Sequence, residues 1–374
     1  MIYLDNAATT YPKPEVTYLA LDKANRNAFN AGRGSYDKSR EAFNVIEETR
    51  IKLASLLCCE SKNVIFNSSA TESLNMIIYG INIMNGDTVY VSPFEHNAVI
   101  RPLHNLQKDI DFRIEILPFD KKTWKPDIEK ISGLFSIHPP KAIFISHISN
   151  VTGYLVPYVE IFELGSKWNS INILDCSQSL GVVNPENLDN VSYVVFAGHK
   201  SLYASFGVAG FVKFKEDDLK VIKTGGTGSD SLNYEMPLEI PNRYEAGSSN
   251  IVAISGLNAS LDWLKSVAIR EKEEKLYDYL NNKIDSIPKI IKYRPVGANT
   301  FGVLSINVEG YLSEDVAAIL SDEYDICVRA GYHCAPLVHD FIESKNYKGT
   351  VRISLNYFNE FKDIDTLIEA LKSL

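Results

Sequence analysis

Cysteine is scarce in this chain, and so are the features that mark metal-binding, nucleic-acid-binding and membrane proteins. The five cysteines, at 58, 59, 176, 327 and 334, are odd in number and lack the paired spacing of a zinc cluster, so no metal is expected. A reducing cytoplasm is the simplest home for them. No concentrated run of Lys and Arg occurs and the net charge is −9, which argues against a nucleic-acid partner. No apolar stretch is long enough to span a bilayer, so no membrane partner is expected. The opening Met1-Ile2-Tyr3-Leu4-Asp5-Asn6 has neither the basic nor the apolar region of a secretory signal. Internal repeats and low-complexity tracts are also missing.

What is present fits an enzyme of ordinary composition, with 45% apolar and 23% charged residues. At 374 residues the chain exceeds the usual single domain, so a large domain with a smaller one is expected. Short apolar runs at 64–67, 88–92, 142–146, 171–175 and 191–197 are rich in Val and Ile and do not alternate. They read as buried strands covered on both faces. Helix-length segments such as 69–81 and 160–168 lie between them, which predicts an α/β unit with a mostly parallel sheet. From residue 251 the pattern changes. One long helical stretch over 251–284 leads to strands at 301–308 and 350–357 and helices at 313–323 and 363–374, an α+β pattern. The expected division is a large domain of residues 21–255 and a small one of 1–20 with 256–374. The polar segment 224–237 reads as a mobile or inter-subunit loop.

Ligands of open α/β sheets sit beyond the carboxyl ends of the strands, and the chemistry-bearing residues collect there. After the 64–67 strand, Ser69-Ala70-Thr71-Glu72 opens a helix whose first N–H groups suit a phosphate. Alone, it equally describes a plain Ser/Thr cap. Asp175 ends the 171–175 strand, with Gln178 three residues on. A carboxylate there can keep a pyridinium nitrogen protonated, the condition for pyridoxal to act as an electron sink, or can simply bond nearby loop amides. His199-Lys200 follows the 191–197 strand. A lysine at the mouth of an apolar sheet can have its pKa lowered and form a Schiff base, although a lone strand-end lysine is usually solvated. Read together, an anion-binding helix start, acid, amide and lysine in that chain order point to pyridoxal 5′-phosphate.

The chain resembles the cysteine desulfurase and selenocysteine lyase group of the class-V aminotransferase-like enzymes. The resemblance runs from Leu4-Asp5-Asn6-Ala7-Ala8-Thr9-Thr10 to Gly349-Thr350-Val351-Arg352. Between them lie Ala70-Thr71-Glu72, Glu95-His96, Ser149-Asn150-Val151-Thr152-Gly153, Asp175-Cys176-Ser177-Gln178, Gly198-His199-Lys200 and Arg329-Ala330-Gly331-Tyr332-His333-Cys334-Ala335. It implies PLP-dependent transferase fold type I, with a mostly parallel seven-stranded sheet in the large domain. It also implies that Lys200 bears the Schiff base and shuttles the Cα proton, and that Asp175 pairs with the pyridine nitrogen. Gln178 and Asn150 lie near the phenolic oxygen, and Asn150 also faces the substrate. His96 stacks on the ring, while Ala70, Thr71 and His199 lie at the phosphate. Ser248, in Glu245-Ala246-Gly247-Ser248, reaches the phosphate of a neighbouring subunit, which implies a homodimer. Arg352 clamps the substrate carboxylate, a task suited to a bidentate guanidinium, and Arg329 lines the same pocket.

Cys334 admits three readings: an incidental thiol, a zinc ligand with His333 and His339, or a thiolate nucleophile activated by Arg329 and His333. The motif favours the third. Cys334 would take sulfur from L-cysteine, release alanine and pass the persulfide to a sulfur-acceptor protein; the alternative substrate is selenocysteine, as for a selenocysteine lyase. Rival functions on the same scaffold are an aminotransferase or β-lyase, and a catalytically dead member acting as a scaffold. Cys58 and Cys59 read as packing residues closing a helix, and Cys176 as buried strand-end filling. His147 reads as structural; His104 and His138 have no evident partner. The chain departs from the family pattern at Ala197, where a phosphate-binding hydroxyl is usual. It departs again at Leu202-Tyr203-Ala204-Ser205-Phe206-Gly207, where a Gly-Pro turn is usual.

Overall fold

The computed structural model describes every residue except 28, 32–33, 216–218, 229–231 and 298. Seven strands form the main sheet in the order Val64–Asn67, Ala209–Lys213, Tyr193–Ala197, Ile171–Asp175, Pro140–Ser146, Thr88–Val91 and Arg113–Ile116. The last five are mutually parallel. Ala209–Lys213 runs antiparallel to both of its neighbours. Helices cover both faces, so the inner strands bury every side of themselves and read as unbroken apolar runs. Two strands escape that reading. Arg113–Ile116 is an edge strand with partly exposed, alternating side chains, and Ala209–Lys213 is a short return strand containing glycine.

The second sheet has four antiparallel strands in the order Arg329–Gly331, Thr350–Ser354, Val303–Val308 and Ile290–Tyr293. Its core joins Leu304, Ile306, Val351 and Ile353 to Leu276 and Leu280 of one helix, Val316 and Leu320 of a second and Leu367 and Leu371 of a third. The amino-terminal strand Ile2–Tyr3 pairs with Ile326–Cys327, and Asp5 bridges to Ser354.

The single helix expected over 251–284 is two helices, Ile251–Ser266 and Ile269–Ile284. Val267 between them is extended, with φ −126° and ψ 150°. The break has a packing cause: Ile254, Leu257 and Leu261 bury into the main core, whereas Leu276 and Leu280 bury into the second. The first helix therefore spans the boundary expected at 255/256. Cys58 is exposed and so is not a packing residue, because the helix has already ended at Leu56. Of the polar loop expected over 224–237, residues 229–231 lie outside the described residues.

The connection from Tyr193–Ala197 into the Lys200 turn requires glycine at 198. A Cβ there would stand 2.6 Å from the Val208 carbonyl oxygen, whose acceptor is taken by the Gly198 N–H at 3.0 Å. Phe144, 1% exposed in Pro140–Ser146, packs in the second of the two cores flanking the sheet. Phe144→Ala should lower the unfolding free energy by about 3–5 kcal/mol, measured by urea titration; a loss below about 1 kcal/mol would contradict this packing.

Candidate active site

At the carboxyl ends of the parallel strands lies a cavity of about 250 Å³. Its wall includes Ala70, Thr71, His96, Asn150, Asp175, Gln178, His199, Lys200, Arg329 and Arg352. Residues spread from 70 to 352 meet here because those of the main sheet stand at strand ends or helix starts, while Arg329 and Arg352 lie on strands of the second sheet. Ser69 caps the Ala70–Gly80 helix by accepting from the Glu72 N–H, so the free N–H groups of that helix start border the cavity. His96 caps Asn97–Leu106, its Nδ1 accepting from the Ala98 N–H at 3.0 Å. Asp175 ends its strand and accepts from the Ser177 N–H at 2.9 Å.

Burial and crowding by cations decide the charges. Desolvation lowers the pKa of the half-buried Lys200, with Arg352 and Arg329 adding to the effect and Asp175 opposing it. Desolvation, then the Lys200 charge, brings His96 down to about 3, so its ring is neutral with the proton on Nε2. His199 is likewise lowered to about 3 by burial, Lys200 and Lys13. Glu95, wholly buried behind His96, is raised to about 7, chiefly by burial, although Ser92 Oγ at 2.6 Å and the Ser146 N–H at 2.6 Å both donate to it.

The opposite wall comes from the second sheet. Arg352 is 1% exposed and donates from Nη2 to Asp5 Oδ1 at 2.5 Å and from Nη1 to the Asn150 carbonyl at 3.1 Å. The Asn150 side chain donates to the His333 carbonyl at 2.8 Å. Arg329 Nη2 lies 3.4 Å from Cys334 Sγ, and the Asn97 N–H, beside His96, donates to the Cys334 carbonyl at 2.7 Å. Cys334 thus sits at the cavity edge on a tight turn in which it and His333 both adopt positive φ, 58° and 47°. His333 turns its Nε2 to Thr350, 2.9 Å from Oγ1, and burial holds its pKa well below the ordinary value. It supplies no positive charge to Cys334; that charge is Arg329's.

Ser248 does not line this cavity. It borders two others, one of them beside Arg50 and Phe43. The His333 and His339 rings stand 5.8 Å apart, and His339 is bonded to Ser344 at 2.7 Å. Among the described residues no group of three or more His, Cys, Asp or Glu could hold a metal ion, and no helix is long and apolar enough to cross a membrane. His147 is buried against Ser179 at 2.8 Å. His138 pairs with Arg113 at 3.0 Å and His104 with Gln107 at 2.9 Å. Sequence reasoning missed Asp5 as the partner of Arg352, Ser177 on the cavity wall and the buried role of Glu95. All three stand beside residues that it singled out.

The cavity suits pyridoxal phosphate on the evidence of its unpaired groups. Ser177 Oγ, His199 Nδ1 and Arg352 Nε are buried on its wall without a partner in the protein. They ask for an anionic ligand with several acceptors. A mostly parallel sheet bearing a buried lysine, an aspartate and such a set at its carboxyl edge defines a pyridoxal-phosphate enzyme of fold type I. The chain belongs to the aminotransferase class-V family, whose model matches residues 2–367. It is 30% identical to a probable cysteine desulfurase of Vibrio cholerae, covering 99% of this chain and 93% of the relative. It is 29% identical to a probable cysteine desulfurase of Methanothermobacter thermautotrophicus, covering 100% and 94%. The structure of a cysteine desulfurase from Thermococcus onnurineus superposes with a TM-score of 0.90 at 27% identity, covering 100% of this chain and 94% of that one.

A neutral His96 is directly observable. At pH 6, nitrogen-15 NMR should find its Nδ1 unprotonated and its ring uncharged, with no titration down to about pH 4; an imidazolium signal at pH 6 would contradict the hydrogen bond to Ala98.

Proposed function

We propose that this protein is a cysteine desulfurase that moves sulfur from L-cysteine by way of Cys334, with selenocysteine as the alternative substrate. The observation that carries the reading is the placing of Arg329 against the Cys334 sulfur at the edge of a cavity that also holds Lys200 and Arg352. An aminotransferase or β-lyase has no need of a thiol held by a guanidinium. The relatives and the neighbouring structure, each a cysteine desulfurase or probable cysteine desulfurase, support the same activity.

In this reading Lys200 would bear the cofactor and carry the substrate Cα proton, a role that the burial-lowered pKa of its amine favours. Asp175 would hold the pyridine nitrogen, His96 would lie against the ring, and Gln178 and Asn150 would serve the phenolic oxygen. Ala70 and Thr71 at the helix start, with His199, would hold the phosphate. Ala197 offers no hydroxyl, which removes one neutral hydrogen bond worth about 0.5–1.5 kcal/mol. Pyridoxal phosphate, when bound, supplies an electron sink for the carbon skeleton of the substrate. Arg352 takes the substrate carboxylate through its unpaired Nε. Arg329 stabilises the Cys334 thiolate, which attacks the substrate sulfur. The Cβ–S bond breaks with its electron pair left on carbon, and that carbon takes a proton to give alanine. The sulfur stays on Cys334 as a persulfide for a sulfur-acceptor protein.

Ser248 serves the phosphate of a second copy, so the active species is a homodimer. Leu232, Tyr234 and Leu238 of the nearby loop are 93%, 104% and 79% exposed in the single chain, as expected of residues that a partner covers. The division into a large domain of 21–255 and a small one of 1–20 with 256–374 belongs to the same proposal, with the Ile251–Ser266 helix crossing between them.

Incubated with pyridoxal phosphate and L-cysteine, the wild type should release alanine and carry added sulfur on the peptide bearing Cys334. Cys334→Ser should still change its absorption spectrum on binding cysteine while alanine formation falls at least a hundredfold. Undiminished alanine, or sulfur found on Cys176 or Cys327, would reject the assignment. Lys200→Ala should lose the borohydride-reducible attachment of the cofactor. Sedimentation should find a dimer, and a fully active monomer would refute the role of Ser248.

A further inference from the structure

The turn after Lys200 departs from the family pattern, and its replacement is built around one side chain. Tyr203 closes the turn by donating its N–H to the Lys200 carbonyl at 2.8 Å. It does so at φ 55°, a left-handed conformation that an aromatic residue adopts only when its surroundings enforce it. The ring is 1% exposed and packs on Trp263 and Phe358 with centroids 5.0 and 6.2 Å away.

The hydroxyl makes two bonds, and both lead to the chain that carries Arg352. It donates to Glu273 Oε1 at 2.5 Å, on the Ile269–Ile284 helix, and accepts from the Tyr357 N–H at 2.8 Å. Tyr357 stands just beyond the Thr350–Ser354 strand. Glu273 is 5% exposed, and burial raises its pKa to about 8, with the Tyr203 hydroxyl and the Tyr357 N–H opposing the rise. Among the described residues no cation offsets it, and Lys272, next to it on the helix, lies over the Tyr357 ring at 4.4 Å. A carboxyl kept in the core without a cation demands a reason. The hydrogen bonds show one, since a single phenol ties the lysine turn to the unit bearing the carboxylate-binding arginine.

We propose that Tyr203, held by Glu273, is a positioning residue that fixes Lys200 relative to Arg352, so that a substrate gripped through its carboxylate presents its Cα hydrogen to the Lys200 amine. The inference rests on the desulfurase reading for the identity of that substrate. Proton transfer is sensitive to displacements of a fraction of an ångström, whereas the grip of Arg352 depends on Asp5 and Asn150 and is left intact.

The test compares Tyr203→Phe, Glu273→Leu and Glu273→Gln with the wild type. Tyr203→Phe and Glu273→Leu should each lower kcat about tenfold while KM for cysteine stays within about twofold. The isotope effect on kcat with Cα-deuterated cysteine should rise. The double variant should be no slower than either single one, and Glu273→Gln, which keeps an acceptor, should regain most of the loss. In the cofactor-free protein, the pH midpoint for acetylation of Lys200, read by mass spectrometry, should move upward in Tyr203→Phe as water reaches the amine. Unchanged kcat and isotope effect, even with a lowered melting temperature, would reduce Tyr203 to a packing residue and overturn the proposal, as would an unmoved acetylation midpoint. A wild type that makes no alanine from cysteine would overturn the desulfurase reading instead, and the acetylation result would still decide the role of Tyr203.

Discussion

The active half of this molecule depends on burying several cations together beside very few anions. Lys200, Arg352 and Arg329 share one cavity wall with Asp175, and Asp5 meets Arg352 from behind. Isolated, a buried ammonium or guanidinium is prohibitively unstable. The set persists because the lysine can give up its proton and the arginines find a carboxylate, a carbonyl and a thiol. Burial first, and then the same crowding, leaves His96 and His199 neutral, and the cations make the cavity electrically suited to a doubly anionic ligand. A substrate carboxylate and a phosphate complete the balance that the protein leaves open.

Much of this was legible in the sequence because parallel strands are written as continuous apolar runs and their carboxyl ends are where polar residues reappear. Asp175, His199 and Lys200 were found that way. Asn150, Arg329 and Arg352 became visible only through resemblance, since the antiparallel sheet that supplies the two arginines has no such punctuation. The edge strand Arg113–Ile116 was missed because it is only four residues long and part-exposed throughout, so it forms no buried apolar run. The split of 251–284 was missed because apolar spacing does not reveal that successive turns face different cores. Asp5 was quoted only as a motif letter; its meaning depends on a contact to Arg352, across nearly the whole chain.

Both loops that flank the cavity carry left-handed residues that are not glycine. Tyr203 follows the lysine in a left-handed conformation, and His333 and Cys334 do the same in succession on the other side. Each is held by neighbours with bonds of their own: the aromatic box around Trp263 for Tyr203, Thr350 for His333, and the Asn97 N–H for Cys334. Rigid strands supply the platform, and enforced turns aim the reactive side chains from it.

The amino-terminal segment has a bearing on how the protein is made. Ile2 and Tyr3 pair with Ile326 and Cys327, Asp5 bonds to Arg352, and Thr9, Thr10 and Lys13 converge on the His199 carbonyl. The segment from Ile2 to Asp5 therefore waits for partners that lie far along the chain. Contacts of such sequence separation form late and slowly. The seven-stranded sheet can collapse while the chain is still growing, but the arginine wall cannot. A growing chain thus exposes its lysine before it can hold an amino acid, and competence for substrate arrives only when these two distant segments have met.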